Sequence, residues 1–281
     1  MEGNKRILVM VLCSRNYLSK ISSDAQQNIW RKYKQKYEII HFVGKNDDSS
    51  RELNYINDSN KNYLIINTDD GYSNIARKTL LALEEAYQNH KFDYIFRTNT
   101  SSYINFNKLD KFIHNNQNTL SYSGKIVTTA EGDDVASGAG FFLSNKNVEL
   151  ILSNKNLYED ILPDDVAIAR ILKKFNIYPD DSTRMDLKQI PHPNKIYTSK
   201  DFHYRCRLDP QYHRILEPML MRYLEIATNN KNLTVLINYY ILRLIFFITN
   251  LKLIRKFLQK YYSYKFYGEV YIRNKLIYSK K

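Results

Sequence analysis

Near the start of the chain, Ile7–Leu12 is an unbroken apolar run bounded by polar residues, the pattern of a strand buried on both faces. A helix is predicted from Ser22, Ser23 or Asp24 as N-cap to about Tyr37, followed by a strand over Glu38–Val43. Arg51–Asn60 reads as helical and Tyr63–Asn67 as a third strand. A stronger helix starts at Asp70 or Ser73 and runs to about Asn89, with Ile75, Leu80, Leu81, Leu83 and Ala86 on its apolar face. Asp93–Arg97 is a fourth strand. Strands alternating with helices predict βαβ units with right-handed crossovers, and sheets of that kind bind ligands at the carboxyl ends of their strands.

Beyond Leu120 the pattern is mixed. Ser121–Val127 and Ala139–Leu143 read as strands, and Asn147–Leu152 and Asp164–Phe175 as helices, the latter opened by two carboxylates after Pro163. From Pro210 onward the pattern is almost wholly helical, and no internal repeat is visible. The expected organisation is an α/β domain over residues 1–209 and a helical, basic, apolar region over 210–281.

Composition changes this picture only where charge is uneven. The chain has 281 residues and a formal charge of +13, but residues 231–281 hold eleven Lys and Arg against one acid, Glu269. That region alone carries +10, which leaves about +3 for the rest. A basic tail on a near-neutral domain points to an anionic partner surface: membrane lipid, polyanionic glycan or nucleic acid. Two cysteines, Cys13 and Cys206, make neither a disulfide framework nor a metal knuckle. The six-residue run Ile7–Leu12 is short for a signal sequence, so a cytoplasmic location is expected.

Four segments could carry chemistry, and each has an ordinary structural reading as well. The polar cluster Arg97-Thr98-Asn99-Thr100-Ser101-Ser102 at a strand end suits an α/β site, or a plain turn. Ser137-Gly138-Ala139-Gly140 would let backbone or substrate approach closely, or would form a bulge. Asp164-Asp165 at a helix start would cap the helix, or one carboxylate would project as a general base. His203, with Arg205 and Arg207, could meet a metal or a diphosphate, although a lone histidine is more often structural.

In order and spacing these segments resemble the inverting β1,3-glycosyltransferases, the family of β1,3-galactosyltransferases, β1,3-N-acetylglucosaminyltransferases and Fringe. Asp69-Asp70-Gly71-Tyr72-Ser73-Asn74-Ile75-Ala76-Arg77-Lys78-Thr79-Leu80 resembles the family's Asp-x-Tyr-x-Asn-Leu-Thr-x-Lys-Thr segment. Asn28-Ile29-Trp30 and Phe42-Val43-Gly44 are similar to an upstream helix and strand of the family, Leu162-Pro163-Asp164-Asp165 to its Leu-Pro-Asp-Asp, and Phe202-His203 to its late Phe-His. The resemblance spans roughly residues 5–207.

The resemblance implies a GT-A-type, Rossmann-like mixed sheet flanked by helices. It implies transfer of a sugar from a nucleotide-sugar donor, with UDP the expected nucleotide, to a glycan or lipid-linked glycan, with inversion. Asp165 matches the family's base, and Asp164 then supports it or caps the helix. Asp69, Asp70, Arg77, Lys78, Arg97, Asn99, Ser101, His203, Arg205 and Arg207 are the expected donor-binding residues, and Ser137, Gly138, Ala139 and Gly140 the acceptor or backbone-approach segment. One departure stands out: the family's acidic metal-binding run reads Asn99-Thr100-Ser101 here. Neutral oxygens hold Mn or Mg poorly against water. No cofactor is therefore expected to be required, with Arg77, Lys78, Arg205 or Arg207 offsetting diphosphate charge. The same departure leaves open a non-catalytic, glycan-binding relative.

In the tail, Leu233–Leu251 is nearly long enough to span a bilayer, but Arg243 sits centrally and would cost roughly 2.5–3.5 kcal/mol. Lys252, Arg255, Lys256 and Lys260, interleaved with Leu253, Ile254, Phe257 and Leu258, read as a basic amphipathic helix on an anionic membrane surface. The alternative is a helical subdomain packed on the catalytic domain or in a homo-oligomer. Nucleic acid is not the expected partner, because no recognition signature for it is present.

Overall fold

The computed structural model describes residues 5–45, 56, 59, 61–116, 120–230, 232–252 and 254–258. The helix expected over Arg51–Asn60 lies outside the described residues, apart from positions 56 and 59. The chain divides into two compact units: residues 1–186 with 199–206, and residues 187–198 with 207–281. The expected boundary after residue 209 falls three residues beyond the observed one, and 187–198 joins the second unit.

The first unit is built on a seven-stranded sheet. Its first half follows the alternation read from the sequence: β1 (Ile7–Leu12), α1 (Tyr17–Trp30), β2 (Glu38–Lys45), β3 (Leu64–Asp69), α2 (Ile75–Asn89) and β4 (Tyr94–Asn99). β5 (Ser102–Ile104) and α3 (Phe106–Asn115) come next, then β6 (Tyr122–Thr128), β7 (Asp134–Ser144), α4 (Asn145–Ser153), α5 (Asp164–Lys173), β8 (Asp180–Asp181) and β9 (Met185–Leu187). The order across the sheet is β3-β2-β1-β4-β7-β6-β8. β1 to β4 pair in parallel, whereas β7 runs antiparallel to both β4 and β6. The result is a mixed α/β sheet flanked by helices, as expected. β5 and β9 join β10 (His203–Cys206) in a small separate sheet.

All of β1 is buried, and its residues alternate between two cores. Leu8, Met10 and Leu12 pack with α2, α4 and α5 residues such as Leu83, Val148 and Ile168. Ile7, Val9 and Val11 pack on the other face with Trp30, Phe106 and Leu109. This two-sided burial explains why the sequence shows an unbroken apolar run there. Each such fully buried aliphatic side chain contributes about 1.5–3 kcal/mol.

Three helices depart from the expectation. α1 begins at Tyr17, earlier than Ser22, with Asn16 as N-cap accepting from Ser19 N at 2.9 Å. Its buried side includes Ser19, Ser22, Ser23 and Gln26, so little apolar period marks its first turns. Two of those groups find partners across the fold: Ser23 Oγ pairs with Tyr63 Oη at 2.5 Å, and Gln26 Nε2 donates to the carbonyls of Asn99 and Ser102. α2 starts at Ile75 after a 3-10 turn over Tyr72–Asn74, and Asp70 does not cap it. α3 has no counterpart in the sequence reading, although Phe106, Leu109 and Ile113 lie at helical spacing on its buried side, capped by Asn105 accepting from Lys108 N.

The second unit contains α6 (Pro193–Thr198), a 3-10 segment over Gln211–Leu216, α7 (Glu217–Asn229) and α8 (Leu233–Asn250). α8 packs against α7 within that unit.

His41, on β2, is buried beside Trp30 and Tyr63, and its Nε2 has no hydrogen-bond partner among the described residues. Burial, with a smaller contribution from Lys34, lowers its pKa from 6.5 to about 3. The folded state therefore holds this imidazole neutral while the unfolded chain protonates it below pH 6.5. Its contribution to stability is complete above that pH and declines as the pH falls toward about 3. Urea midpoints measured at about pH 7.5 and about pH 5 should show this loss, and His41→Phe should lose less over the same interval.

Candidate active site

The sheet changes direction between β1 and β4: β2 and β3 extend to one side of β1, and β4 lies on the other. A crevice at the carboxyl ends of such a strand pair is where open α/β sheets bind ligands. β4 ends there in Arg97, Thr98 and Asn99. Opposite them, β7 loses step with β6. Gly124 pairs with Phe141 and Ile126 with Ala136, so Lys125 faces the four residues Ser137–Gly140. This irregularity is an enlarged β-bulge, and it turns the Gly138 carbonyl toward β4. Arg97 donates to that carbonyl through Nη1, and Asn99 Nδ2 lies 3.4 Å from it. Thr98 Oγ1 and Ser102 Oγ donate to the neighbouring Ala139 carbonyl at 2.8 and 3.1 Å.

The two carboxylates open α5 as its first two residues. Pro163 occupies the N-cap, so neither carboxylate caps the helix from that position. Asp164 is almost completely buried and forms an ion pair with the equally buried Arg97, while Thr79 Oγ1 on α2 donates to it at 2.9 Å. Burial raises its pKa, and the guanidinium opposes that shift. Asp165 is half-buried. Its Oδ2 accepts from Gly138 N at 2.6 Å and its Oδ1 from Val166 N at 3.0 Å, which orients the carboxylate beside the bulge.

The glycines of the bulge are required by close approach. A Cβ at Gly138 would lie 2.9 Å from Asp165 Oδ2, and one at Gly140 only 2.2 Å from His203 Cε1. Asp165 and His203 thus pack onto the same short segment. His203 itself is buried and neutral: burial lowers its pKa to about 3, and its Nε2 lies 2.9 Å from Ser102 Oγ. It presents no charge to a phosphate, and its place is in the wall behind the bulge.

A second cluster lies at the end of β1. Asp70 accepts from Arg15 N at 2.6 Å and Gly44 N at 3.0 Å and pairs with Lys78 Nζ at 2.6 Å; the same Nζ donates to the Cys13 carbonyl. Arg15, buried, donates through Nε to the Gly44 carbonyl. Asp70 and Lys78 therefore tie β1, β2 and α2 together. Asp69 and Arg77 are exposed, and Arg205 is half-exposed on β10. Arg207 belongs to the second unit. Ser137, at the foot of the bulge, accepts from Arg184 Nη1 at 3.0 Å, and Arg184 is paired with Asp186.

The strand end where the resembled family carries metal ligands does not fit a divalent cation. Asn99 Oδ1 accepts from Ser101 N, Ser101 Oγ and, at 3.4 Å, Ser102 Oγ, so these neutral groups are bonded to one another. Among the described residues, no group of three or more His, Cys, Asp or Glu side chains is placed to hold a metal ion. Thr79, Arg15, Gln26 and Arg184 also organise the site and were not singled out as site residues from the sequence. Only Arg15, a cation just past the end of a buried first strand, left a local signal; the others depend on partners distant in the chain.

A family model described as Galactosyltransferase matches residues 24–136 and supports glycosyl transfer. That stretch contains Lys78, Arg97 and Asn99 and ends before the bulge and α5. No curated protein matches the chain. Solved structures with a similar course include the galactosyltransferase LgtC in complex with donor and acceptor sugar analogs, at 11% identity and TM-score 0.39, covering 75% of this chain and 95% of that one. An active-site mutant of LgtC gives 13% identity and TM-score 0.35, with 74% and 82% covered. HddC from Yersinia pseudotuberculosis gives 11% and 0.40, with 75% and 97% covered.

Stability measurements on three single variants and one double variant check this geometry. Gly140→Ala should lose about 1–3 kcal/mol in urea unfolding, because His203 and Phe96 must move. Gly71→Ala, where the nearest atom to the added Cβ is 3.5 Å away, should change stability by less than about 0.5 kcal/mol. Asp164→Ala should cost about 3–5 kcal/mol by leaving the Arg97 charge buried and uncompensated, and adding Arg97→Met should restore part of it.

Proposed function

We propose that this protein is an inverting glycosyltransferase that moves a sugar from a nucleotide-sugar donor, UDP-linked, to a glycan or lipid-linked glycan, with Asp165 as general base. The observation that carries this reading is the state of the two adjacent carboxylates. Asp164 is buried and neutralised by Arg97, whereas Asp165 is half-exposed and held by the Gly138 N–H at the carboxyl end of the central strands. One carboxylate builds the site and the other remains available to a ligand.

In the proposed reaction the acceptor hydroxyl oxygen attacks the anomeric carbon from the face opposite the leaving group. The bond between that carbon and the diphosphate oxygen breaks, and its electron pair leaves with the nucleoside diphosphate. The hydroxyl proton passes to Asp165. The glycine bulge lets the base pack directly against the backbone, which fixes its position. Because the Asn99–Ser101 turn does not fit a divalent cation, positive side chains must offset the leaving charge. Lys78, paired with Asp70 at the end of β1, and Arg15, whose guanidinium donates to the Gly44 carbonyl, together with Arg205, are assigned that task. Two free, buried cysteines accord with a reducing, cytoplasmic setting.

The test is turnover across a panel of UDP-, GDP- and dTDP-sugars, with the anomeric configuration of the product read by NMR. Wild type should turn over a UDP-sugar with inversion and should retain turnover in EDTA. Asp165→Asn should lower turnover by about 10²–10⁴ with donor binding kept in calorimetry. A product of retained configuration overturns the base assignment. Loss of turnover in EDTA, restored only by Mn or Mg, overturns metal independence. Glycan binding by a protein that turns over no donor would favour the non-catalytic relative.

A further inference from the structure

The second unit carries a surface that glycosyl transfer does not use. α8 is long and apolar enough to cross a membrane, with a mean hydropathy of 1.5, and most of it faces outward. Its inward seam is Val235, Leu242 and Thr249, spaced by seven residues and buried. Opposite the seam, Leu233, Ile237, Tyr240, Leu244, Phe247 and Leu251 recur at intervals of four and three, each 46–69% exposed. At about 100° per residue these six lie about 120–200° around the helix from the seam. They form one apolar face with no charged residue within it.

Charge lies on one flank of this face and beyond its C-terminal end, without interrupting it. Arg243 is exposed on the flank of α8, and Lys252, Arg255 and Lys256 are exposed just beyond its end, beside Ile254 and Phe257, which are also exposed. Residues 231–281 carry a net +10. We infer that the outward face of α8 and the cations that follow it dock this protein on an anionic lipid bilayer, with the helix lying in the plane of the interface. Apolar side chains enter the acyl boundary while the cations meet anionic headgroups. A second copy fits the same face poorly, since pairing would bring two strongly basic regions together.

A spanning arrangement would break contacts that the helix makes within its own unit. Asn250 Oδ1 accepts from Tyr212 Oη at 2.9 Å, Phe246 lies 3.9 Å from the His213 ring, and Tyr239 meets both His192 and Tyr223. Docking in the interface uses only the outward face and keeps those contacts. Arg243 then extends its guanidinium to the headgroups.

The experiment is flotation of the full chain with vesicles rich in phosphatidylglycerol and with pure phosphatidylcholine vesicles. The protein should float with the first, be released by high salt, and stay largely unbound with the second. Lys252→Glu/Arg255→Glu/Lys256→Glu should weaken partitioning by on the order of a hundredfold, and Leu244→Glu/Phe247→Glu should abolish it. Both sets of side chains are exposed, so circular dichroism and the urea midpoint should match wild type. Failure to float with either vesicle overturns the inference, and so does equal flotation with both that ignores the cation variants. A lipid-free dimer that the Leu244→Glu/Phe247→Glu variant dissociates, or resistance to alkaline extraction from cell membranes, assigns the face to a second copy or to a span and overturns it as well. None of these readouts involves turnover, so the result stands apart from the catalytic proposal.

Discussion

Arg97 and Asp164 bring opposite charges together where water is almost absent, and the centre of the first unit is arranged around that contact. Each charge alone would be strongly disfavoured there. Paired, they join the end of β4 to the start of α5. Part of the remaining hydrogen-bonding capacity recruits two more elements, the β7 bulge through the Gly138 carbonyl and α2 through Thr79. Asp165 inherits its position from this arrangement, because it is the next residue on a helix whose first residue cannot move. The negative carboxylates sit at the positive end of α5, which favours both of them.

The bulge is the second constraint and works by absence of volume. Three more residues in β7 than β6 can match push Ser137–Gly140 out of register. The two glycines then accept Asp165 and His203 at distances no other residue would allow. Any side chain at these positions would displace the carboxylate or the imidazole behind it. His203 is therefore better understood as filling than as a charge, since its site excludes the proton that would make it cationic. Positive charge near the crevice comes from elsewhere, chiefly from the cluster around Asp70, where Lys78 pairs with the carboxylate and the Arg15 guanidinium lies against the Gly44 carbonyl.

The second unit follows a different logic. α8 buries one narrow seam and leaves a broad apolar face in contact with solvent. Exposed apolar area of that extent is unfavourable in water unless something covers it. The cations beside it restrict what that can be, because they favour an anionic surface and oppose another copy of the same helix.

The elements with strong hydrophobic periodicity were legible in the sequence: β1 as an unbroken apolar run, α2 by its stripe, β4, β7 and α5 by their cores, with ends shifted by a few residues. So was the order of the segments that meet at the crevice, including the paired carboxylates and the glycine run, and so was the unevenness of charge. α1 was misplaced at its start because its buried side is largely serine and glutamine, whose burial is permitted by partners far along the chain. The reversal of β7, the pairing of Arg97 with Asp164 and the burial of His203 carried no local sign. They follow from which strand lies beside which, and a residue's solvation and charge state are set by neighbours that only the folded chain brings within reach. The sequence by itself determined the repertoire of elements and candidate groups. Tertiary packing decided which carboxylate is neutralised, which stays available, and which apolar face of the tail is left uncovered.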